Sequence, residues 1–354
     1  LTYNKMSSSI NYTFAEMGML SWQQMQKQWS LVGPYEQITD AFLSDVSEAN
    51  QMVSNDFVAI LMFAVLFTLH RYVVTICLLK PIWKYLDLFP KEEKKFYESC
   101  CKSFYYAVFF IWEYYLVNIK YPELRYRLAS HWEGFYQEME IPDPIKYLYL
   151  IQSGYYIHSI FATVFMDVWK KDSIAMLYHH VLALTLILFS YSVRYHCIGL
   201  IVLYLHDPSD VILEATKLGV CINKKKKNHV FEAINNFGFV FFILVWIYFR
   251  LYLYPQIVLF STAYISVNTI SHNKFYIPFN AMLILLYALN LWWFNMIMGL
   301  AYRIATGKLK ELDDTREYDN TCKPQLDSKK NLNNGMKFVK DHLKNGHGTR
   351  NRSS

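Results

Sequence analysis

The stretch Arg194–Val220, RYHCIGLIVLYLHDPSDVILEATKLGV, decides how this chain is folded. Its first half is an apolar run of the kind that crosses a membrane. Its second half adds His206, Asp207, Asp210, Glu214 and Lys217. A helix needs ~20 residues to cross a ~30 Å hydrocarbon core, so the segment is long enough only if the charged half is included. Ionisable side chains in a bilayer are costly and normally face a cavity rather than lipid. The segment therefore either crosses with its charges turned inward, or lies at the surface as an amphipathic helix.

The rest of the chain favours crossing. Of its 354 residues 54% are hydrophobic, 18% aromatic and only 18% charged, the composition of a membrane protein. The net charge of +6 is carried by short lysine clusters between apolar segments, which suits membrane orientation and gives no reason to expect a nucleic-acid partner. Seven apolar segments lie near residues 57–79, 103–119, 145–166, 174–193, 195–220, 237–254 and 279–302. Lysine-rich connections follow the first, third, fifth and seventh, and poorer ones follow the fourth and sixth; the loop 120–144, with Lys120, Arg125 and Arg127, is the exception. That alternation holds only if 195–220 crosses.

The expectation is an all-α integral membrane protein with seven transmembrane helices, its N-terminus lumenal and its C-terminus cytosolic. The domains are a lumenal N-terminal segment (1–56), a first transmembrane helix (57–79), a cytosolic linker (80–102), a six-helix region (103–305) and a disordered cytosolic tail (306–354). Asn11-Tyr12-Thr13 is an N-glycosylation sequon on the lumenal side. No cleavable signal peptide is read at the start. The six cysteines include no CxxC pair, so no zinc site is expected, and this topology puts at most Cys197 on the oxidising side, so no intramolecular disulfide is expected. His131 and the neighbouring tryptophans read as interface residues.

On a helix, Asp207, Asp210, Glu214 and Lys217 are spaced 3, 4 and 3 apart and share one face, with His206 able to lean toward it. Pro208 is expected to kink or break that helix. One segment earlier, His179 and His180 lie ~9 Å deep from the cytosolic end, and Asp210 ~15 Å deep. A tight turn near Arg194 makes the two helices antiparallel neighbours, so the clusters come close. Adjacent histidines point about 100° apart, so one of the pair is expected to face the chemistry. Glu214 and Lys217 read equally as an intrahelical pair. Lys224–Lys227 read as a topology signal, a lipid contact or a phosphate contact.

Histidine beside carboxylate, with no serine or cysteine nucleophile motif, suits acyl transfer. Imidazole serves as general base or as covalent carrier, and the carboxylate fixes its tautomer. A di-iron hydroxylase needs HxxxH and HxxHH boxes; neither His179 nor His180 has a second histidine three or four residues on, so no metal and no cofactor are expected.

The run from Arg194 through HDPSDVILEATK resembles the Lag1p motif of ceramide synthases, in which Arg, Gly and an apolar run lead to HDxSDxxLExxK. FMDVWKKDSIAMLYHHVLALTLILFSYS (165–192) resembles that family's paired-histidine region, and KFYESCCKSFYYAVFFIW (95–112) the start of its TLC domain. The resemblance covers roughly 80–305. It implies that six of the helices form a TLC-type barrel around a central cavity in the endoplasmic reticulum membrane. It also implies transfer of a fatty acyl group from acyl-CoA, a co-substrate, to the amine of a sphingoid base, giving (dihydro)ceramide and CoA. Carried onto this sequence, His179 is the acyl carrier and Asp210 assists proton transfer. His180 and Asp207 complete the catalytic set, with His206, Glu214 and Lys217 supporting it and Lys170, Lys171, Lys224 and Lys225 near the CoA phosphates. The last lumenal loop, about 255–278, is tied to acyl-chain length. Membrane lipids and a second ceramide synthase chain, as homo- or hetero-dimer, are the implied partners. Pro208, Cys101 and the LGVCINKKKK run after Lys217 depart from the family pattern, and 80–102 is too short for the homeobox-like domain of many animal members. A non-catalytic TLC protein, for lipid sensing or translocation, is the alternative; such relatives are expected to lack the His and Asp pairs.

Overall fold

The computed structural model describes residues 12–31, 44–48, 50, 52–136, 139–270 and 274–308, and no strand occurs among them. In chain order the main helices are α1 (Phe14–Ser30), α2 (Ser54–Val74), α3 (Glu93–Tyr115), α4 (Asp143–Phe165), α5 (Ser173–Ser192), α6 (His196–Lys226), α7 (His229–Val245) and α8 (Tyr276–Ala305). Asn11 and most of the C-terminal tail lie outside the described residues.

Local chemistry sets the helix ends. Thr13 and Glu16 cap α1 reciprocally: the Glu16 amide donates to Thr13 Oγ1 at 3.3 Å, and the Thr13 amide to Glu16 Oε2 at 2.6 Å. Asn228 Oδ1 accepts the Val230 amide at 2.8 Å and caps α7. Arg194 adopts a left-handed φ of 65°, which allows α5 to reverse into α6 across Val193–Tyr195. The stretch that opened the sequence is thus one continuous helix, and Pro208 sits buried inside it without breaking it. Two residues before the proline, the His206 carbonyl accepts from Ser209 Oγ at 2.9 Å and from Arg250 Nη2 at 2.8 Å.

Among the described residues five helical segments are long and apolar enough to cross a membrane: Ser54–Leu86, α5, α6, His229–Thr269 and α8. The sequence pattern counts seven. The other two, α3 and α4, are 23 residues each and so long enough, but hydroxyl, amide and charged side chains reduce their apolarity. They hold those groups inward, with Glu113, Gln152, Ser153 and His158 all buried. The region read as a linker, 80–102, is mostly helical: Lys80–Leu86 prolongs α2 through a π turn, and α3 begins at Glu93. The supposed lumenal loop after residue 254 is also helical as far as Thr269. α7 continues through three π turns, Trp246–Leu253, Pro255–Leu259 and Ser261–Ile265. Pro255 has no N–H for the ladder, and π turns of this kind recur at functional sites.

α6 is the most enclosed of the five segments. Leu200 and Ile198 are fully buried in it, and α3, α5 and α7 pack around it. α2 packs on α4, where Gly154 lets the backbones approach. A Cβ there would lie 2.5 Å from Phe63 Cβ and 2.9 Å from the Ile60 carbonyl. His131 is buried rather than interfacial. One ring nitrogen lies 2.8 Å from Ser261 Oγ and the other 2.7 Å from the Leu124 carbonyl oxygen. Burial lowers its pKa to about 4, so this histidine is a neutral packing element.

Candidate active site

The charged half of α6 does turn inward. Asp210, Glu214, Lys217 and Lys224 form one wall of a cavity of about 250 Å³, enclosed by α3, α5, α7 and α8. Asp207 does not line it. Three helical residues turn through ~300°, which leaves Asp207 ~60° from Asp210. That rotation carries it off the cavity wall, to the side of α6 where Glu113 of α3 is its charged neighbour. Glu113 Oε1 accepts Gln152 Nε2 at 2.5 Å. Glu214 and Lys217 make the intrahelical pair, at 2.6 Å, and both still line the cavity.

α5 supplies the histidines. His179 and His180 both line the cavity, with ring centroids 5.7 Å apart. His180 is buried against Tyr156, whereas His179 is partly exposed. His179 also borders a second, narrow pocket of about 30 Å³, lined by Ala183, Leu186, Val202, Leu203 and Leu283. It therefore stands where the cavity that carries the charged wall meets an apolar slot. Nδ1 of both rings is buried with no hydrogen-bond partner among the described residues.

His206 is occupied elsewhere. Its Nδ1 bonds the Val202 carbonyl at 2.7 Å, its Nε2 lies 3.1 Å from Asn290 Nδ2, and its ring packs edge-on to Tyr254. It donates at Nδ1 and accepts at Nε2, the pattern of a neutral structural imidazole. It borders the narrow pocket and not the main cavity.

The group that organises the acidic wall is Arg250, which the sequence reading passed over. Its guanidinium is 2.7 Å from Asp210 Oδ2, 2.8 Å from the His206 carbonyl oxygen and 3.4 Å from Asn290 Oδ1. It also lies 4.1 Å over the Trp246 ring. The π turn at Trp246–Leu253 carries both residues. A lone arginine in the apolar run VWIYFRLYLY is a signal in itself. Trp246, Trp293, Tyr106 and Tyr156 complete the lining and had no sequence signal beyond aromaticity.

The cavity opens among lysines. Lys170 and Lys224 line it, together with Lys95 and Lys102; Lys171 and Lys225 do not. Lys225 Nζ instead meets Asp87 at 2.5 Å. Among the described lining residues six cations (Lys95, Lys102, Lys170, Lys217, Lys224 and Arg250) face six carboxyls (Glu92, Glu98, Asp167, Asp172, Asp210 and Glu214), so an incoming anion competes with carboxylates already in place. Lys102 bridges Glu98 at 2.7 Å and Asp167 at 2.8 Å, and Asp167 also holds Arg71 of α2 at 2.5 Å. Burial opposes ionisation of Asp167, but Lys102 and Arg71 outweigh it and bring its pKa down to about 2. The first helix is thus fastened to the loop that precedes the histidines.

The TLC-domain family profile matches residues 95–299, a range that takes in His179, His180, Arg250, Trp293 and the whole acidic wall. Human ceramide synthase 1 is 39% identical over 278 residues, covering 77% of this chain and 78% of that protein. The chain belongs to the ceramide synthase family. Mouse ceramide synthase 1 is 36% identical over 77% of this chain and 79% of its own length. The Arabidopsis thaliana ceramide synthase 1 LOH3 is 32% identical over 73% of this chain and 90% of that protein. For a member of this family the multi-pass helical body follows, and the enzymatic class is that of the N-acyltransferases. Arg71 lies upstream of the matched domain, yet it is bonded into the cavity wall.

Proposed function

We propose that this ceramide synthase transfers a fatty acyl group from acyl-CoA to the amine of a sphingoid base, through an acyl group carried on His179. The observation that carries the reading is the position of His179 at the junction of the cavity with the charged wall and the apolar slot, across from the Arg250-held Asp210. A thioester has the same division, with a polar CoA head and an apolar chain. The chain lies in the slot, the carbonyl carbon reaches His179, and the CoA phosphates rest among the lysines at the mouth.

His179 attacks the thioester carbon and CoA leaves. The amine then attacks the acyl-imidazole, and Asp210 takes its proton. His180 and Asp207 shape the site. Asp207 acts from behind the cavity wall, through Glu113. The reaction requires no cofactor or metal. The lysine-rich end faces the cytosol and the N-terminus the lumen of the endoplasmic reticulum. α3 and α4 also cross, with their polar groups turned inward, which gives seven crossings, six of them enclosing the cavity.

Microsomes containing the protein, given acyl-CoA and sphinganine, are expected to form dihydroceramide and CoA. His179→Ala and Asp210→Asn are expected to abolish this at unchanged protein level. In the absence of amine the wild type is expected to retain a hydroxylamine-labile acyl group that His179→Ala lacks. Full activity in both variants would refute the assignment.

A further inference from the structure

Buried tryptophans normally find an acceptor for the indole N–H. Trp132 does, donating to Ser261 Oγ at 2.9 Å. Trp246 and Trp293 do not: both are buried, and the indole nitrogen of each has no partner among the described residues. Arg250 Nε shares that condition. All three residues line the cavity that holds the histidine pair. At Trp246 and Trp293 the indole N–H meets no acceptor among the described residues, although a buried donor left unpaired is destabilising. Such an arrangement persists where a ligand brings the acceptor.

Trp293 is the donor placed against the chemistry. Its ring stands edge-to-face with His179, centroid to centroid 5.2 Å at 89°. The surrounding aromatic cluster of Phe239, Phe242 and Trp246 fixes the ring. We infer that Trp293 is a further catalytic residue whose indole N–H stabilises the oxyanion formed on the acyl carbonyl oxygen.

The inference rests on the acyl-transfer reading. A nitrogen of His179 bonds to the thioester carbon, and the carbonyl π pair moves onto oxygen. Its return breaks the C–S bond, and the departing thiolate takes the proton shed by the acyl-imidazolium. The amine then bonds to the same carbon, and the pair moves to the same oxygen. Its return breaks the bond to imidazole, while the amine proton passes by way of Asp210 to the departing ring and restores neutral His179. Negative charge appears twice on one oxygen, so one fixed donor serves both steps. A neutral indole suits the task, because it adds no charge beside His179 to oppose the cationic acyl-imidazolium.

The test is Trp293→Phe, which keeps a ring against His179 and removes the N–H. The kcat for dihydroceramide formation is expected to fall about 10- to 100-fold, with the KM for acyl-CoA within about threefold of wild type. Single-turnover formation of the hydroxylamine-labile acyl group should slow in proportion. A kcat within threefold of wild type, or a loss confined to KM, would make Trp293 a wall of the acyl site and overturn the inference. A second measurement uses the wild type alone. An acyl-CoA analogue with a ketone in place of the thioester should inhibit at least tenfold more tightly than the matching thioether, which has no carbonyl. Equal inhibition would overturn the inference whether or not the variant accumulates. A wild type that forms no ceramide would instead defeat the acyl-transfer reading itself.

Discussion

Replacing Arg250 by Met tests the organisation of the acidic wall. The side chain is 3% exposed and the Asp210 side chain 22%, so the ion pair between them is well shielded from water. Removing one partner of a buried pair costs about 3–5 kcal/mol, because the other charge is left uncompensated. The stack over Trp246 contributes about 1 kcal/mol more. The His206 carbonyl keeps its bond from Ser209, so its loss adds little. A net destabilisation of about 3–5 kcal/mol is expected, which corresponds to a melting temperature on the order of 5–10 °C lower. Adding Asp210→Asn to Arg250→Met removes the stranded charge, and should recover about 2–3 kcal/mol of stability while activity stays absent. Arg250→Lys keeps the charge but lacks the planar fork that reaches Asp210, the His206 carbonyl and Asn290 together, so it should fall between the two. The assay is thermal unfolding of detergent-solubilised protein, followed by the recovery of monodisperse material, run beside the microsomal assay. Additive effects of the two substitutions, with coupling below about 0.5 kcal/mol, would refute the claim that Arg250 and Asp210 act as one unit.

Other perturbations have equally definite outcomes. Gly154→Ala drives a methyl against Phe63 and the Ile60 carbonyl and should destabilise the protein by about 1–3 kcal/mol; an unchanged melting temperature would mean that α2 is not held tightly on α4. Asp167 has a folded pKa below its unfolded one, so its contribution is fully present above pH ~4 and is lost as pH falls through about 2. In Asp167→Asn that acid-dependent part, on the order of 2 kcal/mol, should be missing, and the melting temperature should vary less between pH 5 and 2; identical acid profiles would count against the Arg71–Asp167–Lys102 network. Ala183→Leu adds carbon to the narrow slot one turn beyond His179 and should shift an acyl-CoA panel toward shorter chains. An unaltered panel would place the acyl chain elsewhere.

The pattern of apolar segments and lysine-rich loops was enough to identify 195–220 as a crossing helix, and the structure draws it as one unbroken element, His196–Lys226. The paired histidines and the HDxSD run were legible for similar reasons. Each is a costly group in an apolar context, and residue spacing along a helix gives its angular position. The same reasoning stopped short at Arg250, a single residue with no motif around it, and at Trp246 and Trp293, which resemble the many other aromatics of the chain.

What the sequence determined by itself is local: where helices run, which residues share a rotational sector, and which of them are too polar for lipid. Which neighbour stands at each angle was decided only by tertiary packing. Asp207 and Asp210, ~60° apart on one helix, meet different partners, Glu113 on α3 and Arg250 on the π turn beyond α7. His206 is satisfied by Asn290, 84 positions away, and does not line the main cavity, whereas His179 does. A helix face is fixed by 3.6-residue geometry, but the groups that meet it come from distant parts of the chain, and spacing along one helix cannot identify them.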